Sequence, residues 1–416
     1  MRPRATLAVL FLVNVLNIYD RQVLGAILEP LRREFHLSDS QLGALPAIFT
    51  VVYALAGLPL GRLADTWSRK RLLAIGVALW ACLTGLGSLA TTYAALFVTR
   101  MGVGIGEAVC APAATSWIGD LVPAARRARA MAGFMMAVPV GVMLSFAISG
   151  PVAQSHGWRV ALALAAAPAL VLVPALVRLE EPEVRVTDSP ADQSIFLYFL
   201  RIRALWWIAA SGAIVNFVLY SFSTFIAAFL TRVHGLSVGQ AGVWSGIGSG
   251  VAGILGALAA GALGDRARDA GRLRFAAWAA AISVAPATIA IALPRGTAAG
   301  AISLLMLAYG LLQMYYGLVY AALQDIVGPG MRGTAMAAYY MVMYLCGGSL
   351  GPLVTGRLSD WFARLAAHGA IPVGAEAARA IGLQHAMYLV PALSLALALV
   401  LVAAARAIPP ARAAHP

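Results

Sequence analysis

The sequence predicts an all-α membrane protein with twelve transmembrane helices. Hydrophobic residues make up 61% of the 416 residues and charged residues only 11%, whereas a soluble domain carries about 25% charged residues. Apolar runs of about 20 residues, each long enough to cross ~30 Å of hydrocarbon as a helix, recur along the chain. Twelve such spans are predicted, at residues 6–28, 41–61, 72–90, 93–117, 129–152, 159–178, 204–230, 239–262, 274–293, 298–323, 333–356 and 382–405.

One long polar stretch, residues 179–203, divides the twelve spans six and six. It predicts an N-terminal six-helix bundle (1–178), a cytoplasmic linker (179–203) and a C-terminal six-helix bundle (204–416). Internal repeats support this division, and because six spans separate the copies, the two halves have the same membrane orientation and are related by a pseudo-two-fold axis. The repeats pair Gly61-Arg-Leu-Ala-Asp65 with Gly261-Ala-Leu-Gly-Asp265, Asp120-Leu-Val122 with Asp325-Ile-Val327, and Gly150-Pro151 with Gly351-Pro352.

The distribution of basic residues predicts that both termini are cytoplasmic. With that orientation, twenty of the 30 Lys and Arg residues lie inside, eight lie outside and two lie within the membrane, as the positive-inside rule requires. The charge of +13 therefore reflects short loops and does not indicate a nucleic-acid partner. The apolar N-terminal run is interpreted as a retained helix and not a signal peptide, because no small-residue cleavage site follows it. The expected location is the plasma membrane, the inner membrane in a bacterium.

Cofactors are not expected from the sequence. The three cysteines lie singly inside apolar runs, so neither disulfide nor metal-ligand spacing is present.

Four charged residues inside predicted spans are the main functional signal. Asp20 and Arg21 lie in span 1, and Arg100 and Glu107 lie in span 4. Each charge costs roughly 2.5–3.5 kcal/mol at the centre of a bilayer, so the four are expected to pair or to face water. At 1.5 Å per residue, Asp20 and Arg100 fall at nearly the same depth, which predicts an ion pair. Glu107 lies two helical turns, ~10 Å, deeper than Arg100 on the same face.

Two interpretations of these four charges remain open. They could be a static clamp that joins spans 1 and 4. Alternatively, they could form a hydrated site in which Asp20 and Glu107 exchange protons while Arg21 and Arg100 bind the substrate. We favour the second interpretation, since burial raises the pKa of a carboxylate and a neighbouring Arg lowers it. A change in either influence can therefore switch the protonation state of the carboxylate.

Apart from Arg274 at the first position of span 9, the second half carries no charged residue inside its predicted spans and offers neutral polar stripes instead. These stripes could contact substrate or simply pack between helices, since hydroxyls also bond across helices. Pro139 and Gly141 in span 5, and Gly347, Gly348 and Pro352 in span 11, are candidate kinks, with close packing between helices as the equal alternative. The candidate substrate-binding residues of the stripes are Asn216 and Tyr220 in span 7, Gln313 and Tyr316 in span 10, and Tyr340 and Tyr344 in span 11.

The loop after span 2, residues 61–71, resembles the signature loop of the major facilitator superfamily, with Asp65 and Arg69 in the usual places. The copy in the second half is weaker and retains Asp265. The resemblance implies the major facilitator fold and a role for Asp65, Arg69 and Asp265 in closing the cytoplasmic side. A basic loop that only sets topology is the alternative.

The first half further resembles the spinster transporters. The residues that carry this resemblance are Asn17-Ile-Tyr-Asp-Arg21, Thr99-Arg-Met-Gly-Val-Gly-Ile-Gly-Glu107, Ala137-Val-Pro-Val-Gly141 and Trp158-Arg-Val160. Spinster proteins are linked to the export of lysolipids and sphingoid phosphates, so the resemblance implies a substrate of that class.

The predicted function is secondary transport across the lipid bilayer by alternating access. The protein is expected to be a monomer. The substrate is expected to be an amphiphilic small molecule, anionic or lysolipid-like, and protons are the expected coupling ion because no nucleotide-binding motif is present. The alternative is a drug or organic-anion transporter of the same fold. A membrane-embedded enzyme or receptor is disfavoured because the six histidines form no catalytic or metal pattern.

Overall fold

A computed structural model describes residues 3–181, 203–267, 270–327, 332–368 and 373–408. It contains twelve helices that are long and apolar enough to span a membrane, which confirms the predicted number. Most of the predicted linker, residues 182–202, lies outside the described residues. The helices, by span, are Pro3–Ala26 (1), Asp39–Thr66 (2), Arg69–Ser88 (3), Tyr93–Ala108 and Cys110–Leu121 (4), Ala124–Met135 and Ala137–His156 (5), Trp158–Val177 (6), Arg203–Arg232 (7), Val238–Gly264 (8), Ala270–Ala292 (9), Ala298–Ile326 (10), Arg332–Val342, the π-helical turn Met343–Gly348 and Leu350–Ala367 (11), and Ala375–Met387 and Leu389–Ala407 (12); a short helix, Leu28–Phe35, follows span 1.

Four helix interruptions share one cause. The breaks at Ile27, Val109, Met136 and Tyr388 each lie three residues before a proline. A proline cannot donate the backbone hydrogen bond to the residue four positions earlier, and its ring crowds that carbonyl, so the helix breaks on the N-terminal side. The break in span 5 therefore comes from Pro139, as predicted. The predicted irregularity in span 11 is also present, as the π-helical turn Met343–Gly348.

Small residues let the two bundles approach closely. Spans 1 and 7, 2 and 11, and 5 and 8 pack against each other across the interface. A Cβ built on Gly150 of span 5 would lie 2.8 Å from the Cα of Gly242 in span 8, and one built on Gly43 of span 2 would lie 2.2 Å from the carbonyl oxygen of Pro352. Helices in a membrane gain most from such backbone contact, since lipid provides no hydrophobic drive between them.

The two membrane faces are named here by the chain termini. The proximal end carries the start of span 1 at Pro3 and the end of span 12 at Ala407, and the distal end lies opposite. Span 11 continues to Ala367 and span 12 begins at Ala375. These helices extend beyond the predicted spans 333–356 and 382–405, which themselves carry no charge, and the extensions place charged residues on helices at the distal end. The residues concerned are Arg357, Asp360, Arg364, Glu376 and Arg379.

Candidate functional site

Asp20 and Arg100 form the expected ion pair. Arg100 Nη1 lies 3.2 Å from Asp20 Oδ1, and both side chains are almost wholly buried. Thr84 of span 3 completes the cluster: its hydroxyl donates to Asp20 Oδ2 at 2.5 Å and accepts from Arg100 Nη2 at 2.7 Å. Both oxygens of Asp20 are thus engaged, and Arg100 retains only its Nε without a partner among the described residues. This geometry joins spans 1, 3 and 4 firmly.

Glu107 pairs with Arg21 and not with the Arg100 of its own helix. Arg21 Nε and Nη2 both lie 3.3 Å from Glu107 Oε2, and Nη2 also donates to Asn17 Oδ1 at 3.4 Å. The other oxygen, Glu107 Oε1, is buried and has no hydrogen-bond partner among the described residues. A buried carboxylate with one bare oxygen is costly as an anion, and uptake of a proton removes that cost. Glu107 is therefore less firmly held than Asp20.

Arg21 is the least buried of the four charged residues, with 9% of its side chain exposed. Its guanidinium lies 4.4 Å from the ring centroid of Tyr53 and 5.3 Å from that of Phe49, both in span 2. It also lines a small cavity between the halves, together with Thr50 of span 2 and Tyr220 of span 7. The arrangement presents a positive charge, an aromatic surface and hydroxyls to the same cavity.

A continuous set of tyrosines, here called the tyrosine wall, extends from Arg21 into the second half. Successive rings contact one another, mostly edge to face, with centroids 5.5–6.4 Å apart. Such pairs are favourable because the positive ring edge meets the negative face of the next ring. Of the predicted substrate-binding residues, Tyr220, Tyr316, Tyr340 and Tyr344 belong to this wall. Its partly exposed members are Tyr53, Tyr220, Tyr316, Tyr320, Tyr340 and Tyr344.

Asn216 and Gln313 have mainly structural partners. Asn216 donates a hydrogen bond to the carbonyl of Met343, in the π-helical turn, at 3.2 Å. It accepts one from the hydroxyl of Tyr316 at 2.7 Å. Gln313 donates to the hydroxyl of Tyr309 at 2.7 Å. Asn216 thereby fixes the turn that carries Tyr344 toward span 2.

The three predicted gate residues lie at the proximal end. Arg69 is buried and binds Asp120 at 2.5 Å within the first half. Arg272 binds Asp325 within the second half at the equivalent place in the repeat. Asp265 is exposed and has no ion-pair partner among the described residues, and the side chain of Asp65 lies outside what the structure describes. The ion pairs described at this end thus join residues of the same half.

The distal end, in contrast, holds ion pairs between the halves. Arg232 of span 7 binds both Glu29, on the short helix after span 1, and Asp39, at the start of span 2. All three side chains are about 3% exposed. Arg32 of the same short helix binds Glu376 of span 12 at 3.0 Å. The two bundles are closed against each other at this end.

The short helix is also held to its own half, by Glu34. Glu34 accepts from the Trp158 indole and pairs with Arg159 at the start of span 6. Partial burial opposes ionisation, but these hydrogen bonds outweigh it and lower the pKa of Glu34 below its ordinary value. A lowered pKa means that this contact stabilises the folded protein above the unfolded pKa and is lost as the pH falls.

Four residues of the site were not among those predicted from the sequence. Tyr53 and Phe49 are four residues apart on one face of span 2, a spacing that could have placed them beside Arg21. Asn17 precedes Arg21 by one turn. Thr84 left no comparable signal, because a single threonine in an apolar helix ordinarily bonds to its own backbone.

The architecture defines a class of protein, since two packed six-helix bundles with charged and polar side chains buried between them are the plan of a secondary transporter. The chain belongs to the major facilitator superfamily, whose sequence model matches residues 10–352. It is a multi-pass membrane transporter and not an enzyme.

Individual relatives place it near the spinster branch. An MFS-type efflux pump of Mycolicibacterium smegmatis is 32% identical over 366 residues, covering 86% of this chain and 85% of the relative. A sphingosine-1-phosphate transporter of Danio rerio is 29% identical over 247 residues, covering 58% of this chain and 47% of the relative. The crystal structure of a bacterial homologue of the human lysosomal transporter spinster, inward-facing and unoccupied, has a TM-score of 0.84 at 26% identity, covering 97% of both chains. The chain is thus a spinster-like transporter.

Proposed function

We propose that the protein couples proton movement to transport of an amphiphile, anionic or lysolipid-like, by alternating access. The observation that carries this proposal is the pairing of Arg21, which lines the cavity, with Glu107, whose second oxygen is buried without a described partner. With both termini cytoplasmic, closure at the distal end corresponds to a state open to the cytoplasm.

Arg21 is a better candidate than Arg100 for the residue that binds an anionic head group. Arg100 already binds Asp20 and Thr84 and is 1% exposed, so an anion would have to displace a satisfied buried pair. Arg21 lines the cavity, and its planar guanidinium lies over the rings of Tyr53 and Phe49. The head group would bind there, and the apolar body would lie along the tyrosine wall. Similarity to a sphingosine-1-phosphate transporter supports this substrate class.

Proton coupling follows from competition for Arg21. When Glu107 is ionised, it occupies Nε and Nη2 of Arg21. When Glu107 takes up a proton, Arg21 loses its counter-ion and attracts an anion instead. A proton and an anionic head group would therefore bind together, and each would favour the other. Asp20, held by Arg100 and Thr84, is the second proposed proton site, and Asp65, Arg69 and Asp265 are the proposed closure of the proximal side.

Substitution of Arg21 by glutamine should weaken binding of anionic amphiphiles about tenfold or more, because a hydrogen bond to a charged group contributes about 1.5–3 kcal/mol. The measurement is the thermal shift of purified protein with a lysophospholipid, a sphingoid phosphate, an organic anion and a cationic drug, at one acidic and one neutral pH. Wild-type protein should be stabilised most by the anionic amphiphiles, and more at acidic pH. Arg33→Gln, an exposed site at the distal end, is the matched control and should bind like wild type.

A drug transporter of the same fold is the second candidate, favoured by similarity to an efflux pump. Stabilisation by the cationic drug alone, unchanged in Arg21→Gln, would select this function and remove Arg21 from the substrate site.

A further inference from the structure

Besides the weak copy that ends at Asp265, a further copy of the signature sequence lies at the opposite end of the membrane. Gly356-Arg-Leu-Ser-Asp360 in span 11 differs from Gly61-Arg-Leu-Ala-Asp65 in span 2 at one position only. Spans 2 and 11 pack against each other across the interface and run in opposite directions. Span 2 therefore carries its copy near the proximal end, whereas span 11 carries its copy near the distal end.

The copy in span 11 caps the start of span 2. Asp360 Oδ1 accepts from the backbone amide of Asp39 at 2.9 Å, and Oδ2 accepts from that of Ser40 at 2.8 Å. The Ser40 hydroxyl also donates to Asp360. The first amides of a helix have no partner within it and carry partial positive charge, so a carboxylate there is favourable.

The remaining amides of this turn are satisfied within span 2. The Ser38 hydroxyl accepts from the Gln41 amide, and the Gln41 side chain accepts from the Ser38 amide, which together form a capping box. Asp360 thus supplies, from the other half of the protein, the acceptors that the local sequence does not provide. Separation of the halves at the distal end would return the Asp39 and Ser40 amides to water.

Gly356 makes this contact possible. A Cβ built on Gly356 would lie 2.2 Å from the carbonyl oxygen of Asp39, whereas a Cβ on Gly61 would meet only Pro112 Cβ, at 3.9 Å. Gly356 of the distal copy therefore packs tightly against the start of span 2, while Gly61 of the proximal copy has room for a side chain. This is the asymmetry expected if the two copies close alternately.

We propose that Gly356–Asp360 is a distal latch, which stabilises distal closure by capping span 2 and alternates with the signature sequence of span 2 at the proximal end. The proposal rests on the alternating-access function proposed above. It assigns Asp360 as a positioning residue, acting on the conformational balance and not on the substrate.

The test measures distances between spin labels in protein without substrate, at a single pH. Labels on exposed Thr91 and Thr297 report distal opening, and labels on exposed Arg126 and Arg266 report proximal opening, in a background without native cysteines. Asp360→Ala should lower the ratio of distal-closed to distal-open protein about two- to thirtyfold, the range for loss of a helix N-cap. Asp360→Asn keeps one acceptor oxygen and should recover part of that loss.

Two comparisons separate a latch from general damage. Gly356→Ala should open the distal end, whereas Gly61→Ala should leave it closed. Arg357→Ala, exposed in the same helical turn, should behave as wild type. Unchanged distal distances in both Asp360→Ala and Gly356→Ala, or equal opening in Gly61→Ala, would overturn the proposal. Because the readout involves neither substrate nor a pH change, it stays informative if the proposed substrate or coupling ion is wrong.

Discussion

Replacement of Arg100 by alanine is expected to destabilise the protein by about 3–5 kcal/mol and to abolish transport, because it leaves a buried carboxylate without its counter-ion. Asp20 is 0% exposed, and its Oδ1 is bound by Arg100. The measurements are the thermal unfolding temperature of the purified protein and substrate flux in proteoliposomes.

A double substitution distinguishes loss of the ion pair from loss of packing. Asp20→Asn combined with Arg100→Ala removes the unpaired charge and should recover part of the stability, since residues in contact do not contribute independently. Arg159→Ala is the matched control: its pair with Glu34 is about 40% exposed, so its loss should cost at most about 1 kcal/mol. An Arg100→Ala variant with wild-type stability and flux would contradict the described geometry.

Replacement of Arg232 by alanine should open the distal end. Glu29 and Asp39 both bind Arg232 and are about 3% exposed. Glu29 would keep its pair with Arg32, but Asp39 would be left in the closed state without the cation that binds it. Opening returns Asp39 to water, and the cost of leaving a buried ion unpaired, about 3–5 kcal/mol, would drive that change. The equilibrium between closed and open states should shift more than a hundredfold, since 1.4 kcal/mol is tenfold.

This shift is measured by the reaction of a charged thiol reagent with a cysteine introduced into the cavity lining. A cysteine at Thr50, a buried residue that lines the cavity, should become reactive from the distal side in Arg232→Ala. Arg364→Ala, which removes another basic residue of the same distal end, is the control and should leave the cysteine protected. Protection in both variants would show that Arg232 does not hold the closure.

The sequence predicts those features of the structure that depend on residues within a single helix, and not those that depend on how helices pack. The number of spans follows from apolar runs, and the Asp20–Arg100 pair follows from helical rise alone, because depth in a membrane is set by residue count. The partner of Glu107 does not follow, since the rotation of span 1 about its axis decides whether Arg21 can reach it. That the distal charges lie on helices does not follow either, because apolar runs mark the membrane and not the ends of helices.

The tyrosine wall shows the same limit within one site. Tyr316 and Tyr320, like Tyr340 and Tyr344, follow helical spacing and were recognisable as stripes. That Tyr344 reaches Tyr53 of the other half depends on the π-helical turn, whose carbonyl is occupied by Asn216 more than a hundred residues away in the chain. No pattern within span 11 specifies that partner.

The central claim is that Glu107 couples protons to the substrate through Arg21. The most direct test is uptake of an anionic amphiphile into proteoliposomes, with and without an imposed pH gradient, by wild type and by Glu107→Gln. Wild-type uptake should rise with the gradient. Glu107→Gln, which keeps the size of the side chain but cannot exchange a proton, should still exchange substrate at equilibrium and should not respond to the gradient. A gradient response equal to that of wild type in Glu107→Gln would contradict the account.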